Sequence, residues 1–159
     1  MIKTYGYTDN TQLSPHFNAQ EFRCKCGKAH DFQIDDDLIT KLEALFSKLN
    51  CSKIIVTSGF RCAAHDKAVK GSGTGQHTLG KAADICCYGQ DGQPISSKTV
   101  CCKAQDTGFT GIANTTAAYI YTHVDVRSGR KWYGDEVQGN SSVTDNFYEY
   151  FGGDDMKGI

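Results

Sequence analysis

Two imidazoles and a carboxylate hold the most chemistry in this chain: His77 and Asp84, with six residues between them, and His123 well downstream. Two histidine nitrogens and one carboxylate oxygen suit zinc and leave a fourth position for water, whose pKa zinc lowers to about 7. Spacing alone is weak evidence, because such triples arise by chance. A lone histidine is more often a surface or core residue than a ligand, and Asp84 could simply cap a turn. Asp125 follows His123 by two residues. On a strand, positions i and i+2 share a face, so Asp125 is a candidate to take a proton from the water and deliver it to a leaving amine; the plain alternative is an ion pair with Arg127. Arg61 closes the stretch SGFR, and a guanidinium beside a metal can polarise a carbonyl, hold an oxyanion or clamp a carboxylate. Cys24, Cys26 and His30 suggest a second metal site, but Cys-x-Cys-x3-His offers only three ligands at an unusual spacing. His65, beside Asp66, reads as an exposed helical histidine or a loop tether, and His16 and Trp132 as structural.

The elements that must position these groups follow from periodicity. KIIVTSG (53–59) reads as a buried strand leading to Arg61, and KAADICCYG (81–89) as a second strand bearing Asp84. AAYIYTHVDVR (117–127) alternates over β-branched and aromatic residues and is a third; KWYGDEV (131–137) could be a fourth. Between the first two lie a short helix (62–71) and the glycine-rich loop GSGTGQHTLG (71–80) that carries His77. The clearest helix is 34–50, with aspartates at its start, where the helix dipole favours anions, and one apolar stripe of leucines. A second long helix covers 95–108 and stops at Gly108. Asn18 and Glu21 have capping-box spacing, and 22–32 reads as an irregular loop. Strands and helices mix without a βαβ rhythm, which predicts an α+β fold with a small antiparallel sheet flanked by helices.

A chain of 159 residues suits one domain, here 1–159, with a motif-bearing core of about 13–137 and a tail of 138–159. Its 17 basic and 18 acidic residues give no reason to expect nucleic acid as a partner. The small cluster Arg127, Arg130 and Lys131 reads as a solvated strand edge. No apolar run approaches a membrane span, so no membrane insertion is expected, and the first residues lack the apolar stretch of a secretory signal. Eight cysteines is an even count, but the adjacent pairs Cys86-Cys87 and Cys101-Cys102 argue for mostly reduced, buried thiols, with cross-bridging between the pairs as the alternative.

SGFRCAAHDKAVKGSGTGQHTLGKAADI (58–85), with THVDVRSGRKW (122–132) after it and LSPHFNAQEFRC (13–24) before it, closely resembles the zinc D-Ala-D-Ala carboxypeptidase family. That family includes the D,D-dipeptidases of vancomycin resistance, phage L-Ala-D-Glu endolysins and murein endopeptidases, and it shares its fold with the Hedgehog signalling domain. The resemblance covers about residues 13–133. It implies Zn2+ held by His77, Asp84 and His123, a substrate-side Arg61, and Gln76 as a matching substrate-binding position. Two positions depart from the pattern. The acid that many members carry three residues before the last histidine is Ile120 here, which leaves Asp125 as the natural base. The serine expected two residues before His77 is Gly75, which weakens recognition of a terminal carboxylate.

The resemblance therefore implies a zinc metallopeptidase acting on peptidoglycan stem peptides or cross-links; the missing hydroxyl at Gly75 favours internal cleavage over removal of a terminal D-Ala, and a monomer is expected. It would reach the wall either as a phage or prophage endolysin released from the cytoplasm or as a domain of a secreted protein. The alternative is a catalytically silent zinc-containing binding domain of the same fold.

Overall fold

In the computed structural model, residues 1–71, 75–115, 121–139 and 141–152 are described. Four short strands come first: β1 (Ile2–Tyr5), β2 (Gln12–Ser14), β3 (Phe17–Asn18) and β4 (Phe32–Asp35). Then follow α1 (Asp36–Lys48), β5 (Lys53–Ser58), α2 (Ala63–Ala68), β6 (Ala82–Tyr88) and α3 (Ser97–Thr107). The last elements are β7 (Gly111–Asn114), β8 (Thr122–Asp125), β9 (Trp132–Asp135), β10 (Ser142–Thr144) and α4 (Phe147–Tyr150). Among the described residues no helix is long and apolar enough to cross a membrane.

The α+β class holds, but the main sheet is larger than expected and not wholly antiparallel. Its six strands run in the order β10-β9-β7-β8-β6-β5. After β8 returns antiparallel along one side of β7, the chain crosses to the other side and adds β9 parallel to β7. The central strand β7 (GIAN) escapes a periodicity reading because Gly, Ala and Asn are poor strand formers, yet all four of its residues are buried. Likewise β4 lies partly in what reads as a loop and partly in what reads as the start of the first long helix. It pairs with β1, and its last residue, Asp35, caps α1 by accepting from Asp37 N–H at 2.9 Å. The third strand is seen as Thr122–Asp125; residues 116–120, including Ile120, lie outside the described residues.

Strand alternation gives the main sheet two different faces. On one, Ile54, Val56, Ile85, Ile112, Val124 and Tyr133 join a single core with Leu38, Leu42 and Leu45 of α1 and Val100, Cys101 and Ala104 of α3. Each fully buried Leu, Ile or Val side chain among them contributes about 1.5–3 kcal/mol. Thr122 belongs to this face too, its Oγ1 lying 2.9 Å from Ser97 Oγ on α3. Because successive side chains on a strand point to opposite faces, Asp84, His123 and Asp125 must project from the other face. The tail closes over the far edge. Phe147 is fully buried, stacks on Tyr133 at 5.1 Å between ring centroids, and gives its N–H to Gln105 Oε1 at 2.7 Å.

Candidate metal centre

Asp84 on β6 and His123 on β8 are direct cross-strand partners, so the pairing register alone sets them side by side. Small residues flank them: Ala113 on β7 lies beside His123, while Ala82 and Gly111 lie on either side of Asp125. His77 arrives from above on the 3-10 turn Gln76–Leu79. That turn ends at Gly80, which has a φ of +75° and packs so closely that a Cβ would lie 2.6 Å from the Gln33 carbonyl oxygen. Any side chain there would lift the turn, and His77 with it.

The hydrogen-bond partners decide which ring nitrogens face inward. His77 Nδ1 donates to the Gly59 carbonyl at 2.7 Å, leaving Nε2 3.3 Å from Asp84 Oδ1. His123 Nε2 donates to Asp125 Oδ2 at 2.7 Å, leaving Nδ1 3.1 Å from the same Asp84 oxygen. Thus one atom from each of the three residues converges, all within 4.8 Å of one another. Each imidazole is oriented by an acceptor behind it, as in metal sites whose histidines are fixed by a carbonyl or carboxylate. The electrostatics also suit a cation. Burial alone would raise the Asp84 carboxyl, but hydrogen bonds from His123 and His77 outweigh it and hold the group well below the usual carboxylate range. Burial would lower the His123 imidazole, but Asp125 and Asp84 push it up to about 9. The donor set therefore fits zinc.

The part expected of Asp125 changes. Its strand face is as expected, but its carboxylate lies behind the His123 ring, against the nitrogen that points away from the ligand cluster. It is fully buried. Oδ1 accepts from Arg127 N and Nε at 3.1 and 2.9 Å, and Oδ2 accepts from Arg127 NH2 at 2.6 Å as well as from His123. With both oxygens engaged by Arg127 and His123, Asp125 is placed to orient and charge His123. Arg127 is accordingly no solvated edge residue. The alternation of His123, Asp125 and Arg127 along one strand face was the signal for it.

Arg61 does lie beside the cluster, but its donors are largely committed. Nε donates to Ser58 Oγ at 2.8 Å, NH1 to Asp66 Oδ1 at 3.0 Å and NH2 to Asp84 Oδ2 at 2.9 Å. It is thus a clamp on the second oxygen of Asp84. Asp66 and Ser58 complete that clamp, and the reading of individual motifs missed both.

An open cleft of about 320 Å³ lies over the cluster, bounded among others by Arg61, Gln76, His77, His123, Trp132 and Glu136. Gln76 sits where expected, and its Oε1 is buried without a hydrogen-bond partner among the described residues. Trp132 is part of the cleft wall and has the Arg127 guanidinium 5.0 Å from its ring. Glu136 is an exposed carboxylate at the rim, and its Oε2 accepts from Tyr121 OH at 3.2 Å. Burial and the nearby Glu136 and Asp84 charges push Tyr121 up to about 12, so its hydroxyl stays a donor. Glu136 is placed by the residue before it. Asp135 caps the turn by accepting from Val137 N–H at 3.1 Å, and is itself held by Asn114 of β7 and Tyr150 OH of α4 at 3.3 and 3.1 Å. A larger depression of about 540 Å³ near Lys3, Tyr5 and Glu43 contains no such convergence. Its charges are paired, Lys3 with Asp36 and Glu43 with His16, whose ring stacks on Phe46.

A comparison with curated proteins returned no match. A family model described as Peptidase M15 matches residues 15–125, which is more than half of the chain and spans all three converging ligands. With the resemblance carried by residues 58–85 and 122–132 thus supported, the chain belongs to the peptidase M15 family.

Proposed function

We propose that this protein is a zinc peptidase that cleaves internal peptide bonds of bacterial peptidoglycan, in the stem peptides or their cross-links. The observation that carries the reading is the convergence of His77 Nε2, Asp84 Oδ1 and His123 Nδ1 beneath an open cleft. Bound there, zinc supplies Lewis acidity toward a carbonyl and toward water at neutral pH. The rest falls to the chain's own residues. The Gly59 carbonyl and Asp125 fix the two imidazoles, and Arg61 holds Asp84. Glu136 is the carboxylate at the cleft rim able to accept a proton from the attacking water and pass it to the leaving amine. The buried Oε1 of Gln76 is suited to accept an N–H of the substrate backbone, since an unpaired buried acceptor is costly until a ligand satisfies it.

Internal cleavage is favoured for two reasons. A carboxypeptidase must clamp a free carboxylate, with a cation and aligned donors. Gly75 supplies no hydroxyl, and Arg61 already serves Ser58, Asp66 and Asp84. An internal bond has no such carboxylate to satisfy, and the cleft is open. Either setting expected from the sequence, endolysin or secreted domain, would bring such a site to the wall. The test offers the zinc-loaded protein a free pentapeptide stem and cross-linked muropeptides, with products identified by mass spectrometry. Internal cleavage that Gly75→Ser does not improve is the expected result. Release of single D-Ala with cross-links and internal bonds intact would make it a carboxypeptidase, and no cleavage of either substrate would leave the silent binding domain.

A further inference from the structure

A second cluster of ligand atoms lies outside the cleft. Cys24 and Cys26 sit on the loop between the capped turn Ala19–Phe22 and β4, together with His30, and the fold brings Cys62 to them from the N-terminus of α2. One ligand atom from each of the four lies within 4.8 Å of all the others. This resolves the deficit in Cys-x-Cys-x3-His, because the fourth donor comes from a distant part of the chain. We propose that Cys24, Cys26, His30 and Cys62 bind a second, structural zinc ion.

The donor chemistry supports this. Three sulfurs and one imidazole nitrogen form a closed tetrahedral zinc set, in which ligand atoms are about 3.5–3.8 Å apart. Cys26 Sγ and His30 Nε2 are already 3.1 Å apart. His30 Nδ1 donates to the Asp31 carbonyl at 2.7 Å, which leaves Nε2 as the bare nitrogen facing the sulfurs. Two backbone N–H groups point at sulfur: Lys28 N to Cys26 Sγ at 3.4 Å and Cys62 N to Cys24 Sγ at 3.3 Å. Hydrogen bonds of this kind favour the thiolate, the form that binds metal. Gly27, at a φ of +81°, turns the loop back so that Lys28 can make the first of them. Cys24 is buried, and the other three are half-buried. All eight cysteines are free thiols in this structure, but only these three share a place with a histidine among the described residues.

The ion would fasten the 23–31 loop to the residue that follows Arg61. The same seam is held by Phe60 N–H donating to Phe22 O at 2.9 Å and Lys25 Nζ to Thr57 O at 2.6 Å. It needs Gly59, where a Cβ would lie 2.7 Å from Phe22 Cα.

The test counts metal and so does not depend on the proposed activity. Full-length protein is prepared with zinc in reducing buffer and examined by native mass spectrometry. The expected wild-type stoichiometry is two zinc ions, with one retained in the His77→Ala/His123→Ala double variant. Loaded with cobalt instead, that double variant should show the near-ultraviolet thiolate-to-metal charge-transfer bands, and adding Cys26→Ser or His30→Ala should weaken or abolish them. The cobalt spectrum of the double variant keeps the idea testable even where a cysteine variant fails to fold. A double variant that binds no metal, or binds cobalt without sulfur bands, overturns the proposal. So does an intact mass showing these cysteines joined as a disulfide under the same reducing conditions.

Discussion

The cluster in the cleft and the sulfur cluster border the same four residues, Gly59 to Cys62, but they are built in opposite ways. The first takes two of its ligands from neighbouring strands in register and leaves its upper side open to the cleft. The second takes all of its ligands from loop and helix-terminal positions and closes on itself with four donors. Three donors with an open position are the composition of a catalytic site, and four donors rich in sulfur that of a structural one. The segment between them serves both. The Gly59 carbonyl orients His77, the Phe60 ring lies edge-on to His30 at 6.3 Å, Arg61 grips Asp84, and Cys62 is itself a sulfur donor. Strand register can assemble an open site directly, whereas the adjoining loops need a fastening of their own to hold the clamp residue beside it.

Replacing His123 with Ala should break the comparison most completely. The cleft cluster loses a ligand, so hydrolysis should fall by at least about 10³-fold, given the several kcal/mol that metal catalysis supplies. The zinc count should drop by one while the sulfur-bound metal stays. Elemental analysis beside a muropeptide assay checks both. Loss of both ions together would mean that the two clusters fold as one unit, and an unchanged zinc count would remove His123 from the ligand set.

How far the sequence discloses each cluster depends on how local its signal is. His77 and Asp84 lie on one continuous motif and His123 lies in another, so the resemblance carried by those motifs could name all three candidate ligands, which the fold then brings together. The amphipathic stripe of α1 was legible for the same reason, since Leu38, Leu42 and Leu45 recur at helical spacing and all are buried. Cys62 was not legible as a candidate ligand because its partners lie far up the chain, and they meet through a seam at which Gly59 packs on Phe22 and Phe60 N–H donates to Phe22 O. Strand β7 was hidden because its room for the site depends on residues with almost no side chain. At Gly111 a Cβ would meet the Asp125 carboxylate at 2.0 Å. The part played by Asp125 could not be read from i, i+2 spacing, which gives the face of a strand but not which side of an imidazole a neighbour touches.

Glu136→Gln should separate chemistry from metal binding. Both clusters should keep their ions, while turnover falls by about 10²–10⁴-fold, the usual contribution of general acid–base catalysis. Glu136 stands at the cleft rim, anchored through Asp135 and the tail residue Tyr150. Turnover within a fewfold of wild type would transfer the proton step to another group.

Asp125→Asn should act one layer behind the metal. Partners that orient a ligating histidine typically contribute about 10–100-fold to metal affinity or activity. The expected result is therefore weaker zinc at the cleft cluster, measured by chelator competition, with the sulfur cluster unaffected. Gly111→Ala is the companion, because its Cβ must displace the same carboxylate without changing any charge. If Asp125→Asn bound zinc as tightly as wild type yet lost turnover by the full acid–base factor, Asp125 would be the base after all.

The smallest effect should come from His65→Gln. His65 sits on α2, the helix that begins beside the sulfur cluster and carries Asp66, which grips Arg61 at 3.0 Å. Neighbouring residues on a helix are about 100° apart around its axis, so the placement of Asp66 toward the clamp turns His65 elsewhere. It is half-buried, it is not among the residues that line the cleft, and it belongs to neither ligand cluster. Its backbone role, accepting from Val69 N–H at 3.0 Å, survives any side chain. Activity within about threefold of wild type, no change in either zinc ion, and a stability change within about 0.5 kcal/mol are expected, as for a substitution away from any site. A hundredfold loss of turnover with both ions retained would make His65 the proton carrier in place of Glu136. Loss of the sulfur-bound ion alone would instead extend that cluster along α2, and the boundary drawn at Cys62 between the two regions would have to move.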